Sequence, residues 1–505
     1  MIFFLYNNGT LIEGARLPPH GMPIANANES ADGARLIAGK KSSVAGRTRK
    51  PKKAGTLMEK AKQQSLLSGN IKKQLITLAI PLLFGNILQQ LYNTADSLIV
   101  GHFLGTDAFA SVGVSGSIMN LFIFVLNGFC VGLSVILGQL YGNGDRKQFR
   151  EEFFVAVGYG TILTLIISGV SMVLLQTILK LIQTPDELIP YSTAYLMMIL
   201  AGLPFTYFYN LFSNVLRSVG NTKAGLYFLA IAIVANVILD FAFIAGLGTG
   251  TAGAAAATVV SQFFSAACCF FYLKKLYPEL ICRKEDIGFH PELLSRTLKY
   301  GVTSAMQASS LYIGKILVQG AVNTLGTPGI AAYTATMRIE GFANSFGDSG
   351  GSAISVLVSQ NKGAGNTDRV KKGMKDGVTL NLVLGLTMAA LMIVFAEPGI
   401  RLFISDGDAL SIQYGVDYLR IVSIFYVFCF VGSALVGYFR GIGKVHIPFW
   451  CSTSHITIRV ILSYLLVEKL GLPAIGLATG IGWIWAVTYQ MLMYFHYRKQ
   501  EQPAL

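Results

Sequence analysis

Beyond about residue 70 the chain is a succession of long apolar runs separated by short polar joints, and the residues before it hold no such run. A helix needs roughly 20 mostly apolar residues to cross the core of a bilayer. On that measure the pattern predicts twelve spans, near 74–104, 112–139, 152–178, 188–216, 222–247, 252–275, 296–324, 330–361, 372–396, 412–440, 445–470 and 473–497. Runs of this length exclude an outer-membrane barrel, whose strands would alternate in segments of about 10 residues. The expected fold is all-α, a polytopic membrane protein with 12 transmembrane helices.

Polar residues inside the runs carry the candidate chemistry. Within PLLFGNILQQLYNTADSLIVGHFL, from Pro81 to Leu104, Asn86, Gln89, Asn93 and Asp96 recur at steps of 3, 4 and 3, which stacks them on one helix face. That face is expected to look inward. In the fifth span Asn236 and Asp240 are four residues apart, and Asp240 is its only carboxylate. A carboxylate at this depth is costly to hold and reads as a proton, ion or substrate site. An interhelical hydrogen-bonding network that only binds the bundle together is the alternative. Gln89, Asn93, Tyr195, Asn210, Asn214, Asn236 and Thr258 supply oxygens that suit a sodium ion as well as a protonated carboxyl, so the residues leave the coupling ion open.

The chain also repeats itself. LGTDAFA at Leu104 matches LGTPGIA at Leu325, and SVILGQLYGNG at Ser134 matches SVLVSQNKGAG at Ser355, both 221 residues apart. Farther along, Arg217 and Gly220 match Arg440 and Gly443, and VIL at Val237 matches VIL at Val460, at 223. Six spans per half is an even number, so the halves enter from the same side as parallel pseudo-repeats about an axis along the membrane normal. The expected division is a basic, disordered tail over 1–70, a first lobe over 71–275, a linker over 276–295, a second lobe over 296–497 and a short tail over 498–505. Two lobes rocking about a central cavity is an alternating-access design.

A mean hydropathy of +0.54 with only 13% charged residues confirms the membrane class. The net charge of +14 would suggest nucleic acid, but its positives fall on the tail and on alternate joints. Arg146, Lys147, Arg150, Arg217, Lys223, Lys274, Lys275, Lys362, Arg369, Lys372, Arg440 and Lys444 follow even-numbered spans, while Asp107, Asp186, Glu187, Asp406 and Asp408 follow odd ones. This places the even joints and both termini in the cytoplasm. The six cysteines form no CxxC pair and imply neither a disulfide framework nor a zinc site. GKKSSVAGRTRKPKK, from Gly39 to Lys53, belongs to the tail, and Met58 is an alternative start of translation.

The second half is chemically different. Leu317 and Ser463 stand where Asp96 and Asp240 stand in the first. Its buried candidates are Lys315, Arg338, Glu340, Asp348 and Arg459, with Glu340, Asn344 and Asp348 on one face. The cost of either charge alone in lipid suggests pairing of Lys315 with Glu340. Tyr209 and its aromatic neighbours in span 4, and Tyr426, Phe428 and Phe430 in span 10, read as packing, with cation-π contact to organic cations available.

IPLLFGNILQQLYNTADSLIVGHFLGT in the first span, QLYGNGD after the second, LRSVGNTK after the fourth, NVILDFAFI in the fifth and FRGIGKVHIP after the tenth resemble the multidrug and toxic compound extrusion (MATE) family, in its bacterial DinF-like branch, over residues 60–497. The resemblance implies export of organic cations or other amphipathic compounds in exchange for inward H⁺ or Na⁺. It puts the family's first-span aspartate on Asp96 with Gln89 nearby, and its fifth-span pair on Asn236 and Asp240 with Tyr195 and Thr258. Second-lobe acidic sites of other branches do not map cleanly here.

The expected protein is thus a secondary active efflux transporter, not an enzyme, without a cofactor beyond its coupling H⁺ or Na⁺. It is expected to be a monomer in the bacterial cytoplasmic membrane, handling small cationic or amphipathic substrates, in contact with lipid and not with nucleic acid. Asn93, Asn210, Asn214, Tyr209, Lys315, Glu340, Asn344 and Arg459 are its candidate cavity residues. A lipid-linked precursor flippase of the same superfamily is the alternative, kept open by Lys315, Arg338 and Arg459. A channel would present a repeated filter sequence, and none is visible.

Overall fold

The computed structural model describes residues 66–404 and 408–501, without the side chains at 93–98, 106, 107, 109 and 499–501. The basic run of the tail, Met58 and the last four residues of the C-terminal tail lie outside the described residues.

Among the described residues every regular element is helical. The first repeat holds α1 (Ile71–Asn143), α2 (Arg146–Val173), the short α3 (Leu175–Leu181), α4 (Ile189–Ser218), α5 (Thr222–Asp240) and α6 (Gly250–Leu276). The second holds α7 (Pro291–Asn323), α8 (Gly326–Gly363), α9 (Thr367–Val394), the short α10 (Ala396–Arg401), α11 (Ala409–Ile424), α12 (Tyr426–Gly441), α13 (His446–Leu470) and α14 (Leu472–Glu501). Side-chain caps start several of them. Asn70 accepts from the Lys73 N–H at 3.1 Å and Asp145 from the Gln148 N–H at 2.9 Å, each satisfying a donor the helix leaves unpaired.

Spans 1 and 2 are not separate helices joined by a loop, as the apolar pattern predicts. They are two arms of α1, 73 residues long, broken only at Gly105, whose φ of 83° a side chain would resist. Among the described residues nine helical stretches are long and apolar enough to cross a membrane, and α11 with α12 make a tenth, bent by 53° where one straight span was expected. The remaining two of the twelve are α7 and α8, at 33 and 38 residues long enough to cross but more polar, because they carry Lys315, Arg338, Glu340 and Asp348.

The repeat is written in the backbone. Left-handed glycines come in pairs: Gly105 with Gly326 and Gly144 with Gly365 are 221 apart, and Gly220 with Gly443 and Gly248 with Gly471 are 223 apart. Matching turns therefore end matching helices. Each repeat has its own apolar core, around Leu133, Leu200 and Leu211 in the first and around Val322, Leu419 and Phe430 in the second. A third core joins them: Leu66, Ile71, Leu75 and Leu78 pack on Ile354, Leu357 and Val370 of the second repeat.

At the end that carries the basic joints, the repeats meet in a two-fold pattern. A methyl group on Gly142 would strike the Gln360 carbonyl, and one on Gly363 would strike the Gln139 carbonyl. Gln360 Nε2 donates to the Ser218 carbonyl at 2.6 Å, and Gln139 Nε2 donates to the Gly441 carbonyl at 3.1 Å. Each contact is the repeat image of the other. The molecule is closed at this end.

Candidate functional site

The sequence puts Asn236 and Asp240 one turn apart, and the helix delivers them to one place. Asp240 is fully buried and Asn236 is 1% exposed. With its amide oriented to satisfy both neighbours, Asn236 donates to Asp240 Oδ2 at 3.0 Å and accepts from the Thr258 N–H on α6 at 3.2 Å. Thr258 Oγ1 lies 3.4 Å from the Tyr92 hydroxyl on α1, which brings a third helix to the cluster. Immediately after Asp240 the backbone widens into a π-helical turn, Phe241–Gly246. Such turns are rare and concentrate at functional sites, because they free backbone groups from the regular ladder. The cluster thus sets a buried carboxyl beside an amide and two hydroxyls.

The side chains of Asn93 and Asp96 lie outside the described residues. Elsewhere the polar face of the first arm turns to the second repeat: Asn86 and Gln89 are exposed, and Asn86 Nδ2 donates to Ser349 Oγ on α8 at 3.1 Å. Tyr195 is buried with its hydroxyl 3.5 Å from Met119 Sδ. Asn210 and Asn214 donate to the carbonyls of Thr206 and Asn210 in their own helix, at 2.8 and 2.9 Å. Tyr209, half-buried on the same helix, lies within electrostatic range of Arg217.

In the second repeat Glu340 is buried and accepts from the Tyr426 hydroxyl at 3.3 Å, while Arg459 Nη2 donates to the Tyr333 hydroxyl at 3.3 Å. Tyr333 and Tyr418 meet edge to face. Lys315 does not form the expected pair: no ion pair joins it to Glu340 among the described residues, although each lies within electrostatic range of the other. Lys315 and Asp348 sit mid-span on α7 and α8, within electrostatic range of each other. Asn344 accepts from Cys429 Sγ at 3.7 Å, and Arg338 is exposed.

Tyr92, Tyr333 and Tyr418 were not singled out by sequence. Their role comes from long-range packing, and the only signal in the chain is a tyrosine inside an apolar run.

A family model, MatE, matches residues 81–242 and again 304–465, one copy on each repeat. A probable multidrug resistance protein YpnP of Bacillus subtilis (strain 168) is 30% identical over 442 residues, 86% of this chain and 97% of that one. A probable multidrug resistance protein NorM of Thermotoga maritima is 28% identical over 81% of this chain and 89% of its own. Among solved structures, a transporter of the MOP superfamily from Pyrococcus furiosus superposes with a TM-score of 0.78 at 23% identity, covering 86% of this chain and 98% of its own. Two family matches on two repeats, and a relative spanned almost end to end, put this chain in the MatE family of multidrug and toxic compound extrusion transporters.

Proposed function

We propose that this transporter exports small cationic or amphipathic molecules in antiport with H⁺ or Na⁺ through alternating access, as a monomer in the bacterial cytoplasmic membrane with its basic end in the cytoplasm. The observation that carries the proposal is Asp240, fully buried beside Asn236 and Thr258 and directly before a π-helical turn. A bare carboxylate there is expensive, and binding a proton or a sodium ion relieves that cost. A cation that binds one state of the carrier better than the other shifts the balance between states by its differential affinity. Asp240 lies toward the end of α5 remote from the basic joints, so its cation comes from outside and drives export. The names of the relatives support multidrug export as the class of work.

The test is transport in sealed vesicles with a pH gradient and a sodium gradient imposed separately. Efflux of a fluorescent organic cation is expected to follow one gradient and to fall at least tenfold in Asp240→Asn, a loss of about 1.4 kcal/mol or more of coupling. Efflux that follows neither gradient, or survives in Asp240→Asn, removes the proposal.

A further inference from the structure

The two-fold junction is flanked by a pair of arginines to which the cation mechanism gives no role. Arg217 closes α4 one residue before Ser218, and Arg440 closes α12 one residue before Gly441. Ser218 and Gly441 are the residues whose carbonyls Gln360 and Gln139 hold across the junction. The arginines are therefore repeat images drawn to the same axis, and each lies within electrostatic range of the other. Their donors are largely unmet. Among the described residues Arg217 donates to no protein group, and Arg440 gives Nη2 to Gln307 Oε1 at 2.9 Å while its buried Nε has no partner. Asp348 lies within electrostatic range of Arg440 and of Lys315, so one carboxylate serves two cations.

Two adjacent guanidinium groups repel each other and leave planar donor forks open, and the group that satisfies both is a phosphate or carboxylate held by charge-assisted hydrogen bonds. We propose that Arg217 and Arg440 form an anion-binding site on the pseudo-two-fold axis that receives the acidic group of amphipathic substrates. An acidic amphiphile places its anion on the arginines and its apolar part among the helices. A purely cationic one is repelled from the arginines. The inference rests on the efflux reading for the meaning of the word substrate, but binding at equilibrium tests it without any gradient.

The purified full-length protein in neutral detergent is titrated with two matched pairs of probes. Riboflavin 5′-phosphate against riboflavin differs only in a phosphate and represents a soluble amphiphile; dioctanoyl phosphatidic acid against dioctanoylglycerol represents a lipid. The phosphorylated member of at least one pair is expected to bind about tenfold tighter or more, the weight of one or two charged hydrogen bonds, and the pair that shows it identifies the source. Arg217→Gln and Arg440→Gln are expected to erase the preference, Arg217→Lys with Arg440→Lys to keep part of it, and Lys147→Gln on the surface to leave it intact. Equal binding within both pairs in the native protein overturns the site. So does a preference that survives in the double Gln variant, or a loss that weakens charged and neutral probes alike. A failed antiport assay leaves these affinities untouched, so the two readings fall separately.

Discussion

A single turn of helix made the central pair legible. Asn236 and Asp240 are local in sequence, so their spacing alone puts them on one face, and the structure brings them to 3.0 Å. Tyr92 was invisible because its contact with Thr258 joins residues 166 apart, which only packing decides. Asn236 acts through Asp240 and so counts as a positioning residue. Asn236→Ala is expected to move the pH midpoint of efflux while Asp240→Asn abolishes the pH dependence, and identical profiles for Asn236→Ala and the native protein would show that the amide does not tune the carboxyl. Outside the membrane, the Asp286 carboxyl accepts from Arg150 Nε at 2.7 Å and Nη2 at 3.1 Å and from the Arg283 N–H at 2.7 Å. Burial pushes this carboxyl up, and the bonds from Arg150 and Arg283 outweigh it and hold the group below its usual range. A depressed folded value means that the stabilisation is full above the ordinary carboxylate range and is lost as pH falls through it. Asp286 is fully covered but sits in the joint between α6 and α7 beside the exposed Glu285, so Asp286→Asn is expected to cost about 2 kcal/mol at pH 7, below the range for a deeply buried pair. Thermal unfolding at pH 7, 4 and 3 checks it: the gap between native and Asp286→Asn protein shrinks as pH falls, and a constant gap refutes it.

Among the elements, the apolar pattern located the spans but not their breaks. Hydropathy averages over a window, and a break needs only one or two residues. Gly105 in α1, the π-helical turn after Asp240 and the 53° bend between α11 and α12 each occupy a few positions within apolar sequence. Polarity in α7 and α8 was read as candidate chemistry, and it also makes them the two spans that fall short of the others in hydropathy. The glycines at the junction carry a different message. Gly142 and Gly363 each lie at a helix end where the opposite backbone approaches so closely that no side chain fits. Because the obstacle is main chain, a Cβ cannot be accommodated by a rotamer change, and overpacking of this kind costs about 1–3 kcal/mol. That cost falls only on the state closed at the basic end. Gly142→Ala is therefore expected to raise the population open at that end by roughly tenfold for each 1.4 kcal/mol. Tryptic cleavage at the basic joints, followed over time, reads this change, and an unaltered rate in Gly142→Ala and Gly363→Ala alike would contradict it.

At the scale of the whole molecule, closure at the basic end rests on a second device besides the junction. Arg369, on the second repeat, donates to the carbonyls of Leu66 and Gly69, to Gln74 Oε1 and to Asn361 Oδ1, at distances from 2.9 to 3.1 Å. The lead-in to α1 is thereby held on the other repeat, over the core formed by Leu66, Ile71, Leu75 and Leu78. Duplication was legible in the sequence as matched motifs, whereas this crossing was not, because residues 66–78 have no counterpart motif and their contacts lie nearly 300 positions away. In a cycle that opens the basic end, the junction must part while this strap either breaks or carries the start of α1 with the second repeat. Partly exposed charge-assisted bonds are worth less than buried ones, so the three that reach Leu66, Gly69 and Gln74 together contribute about 1–2 kcal/mol. Arg369→Ala should then favour the open state by roughly five- to thirty-fold if the strap must break, and leave it unchanged if the start of α1 travels with the second repeat. Ser359 reports the difference, since it is buried against Gly138 across the junction and becomes reachable only on opening. With the native cysteines replaced and Ser359→Cys introduced, a membrane-impermeant maleimide applied from the basic side is expected to label Arg369→Ala about tenfold faster than the parent, the response of a strap that breaks. Equal rates would show that the first arm of α1 moves with the second repeat, and the line between the two moving bodies would then fall inside α1 and not after α6.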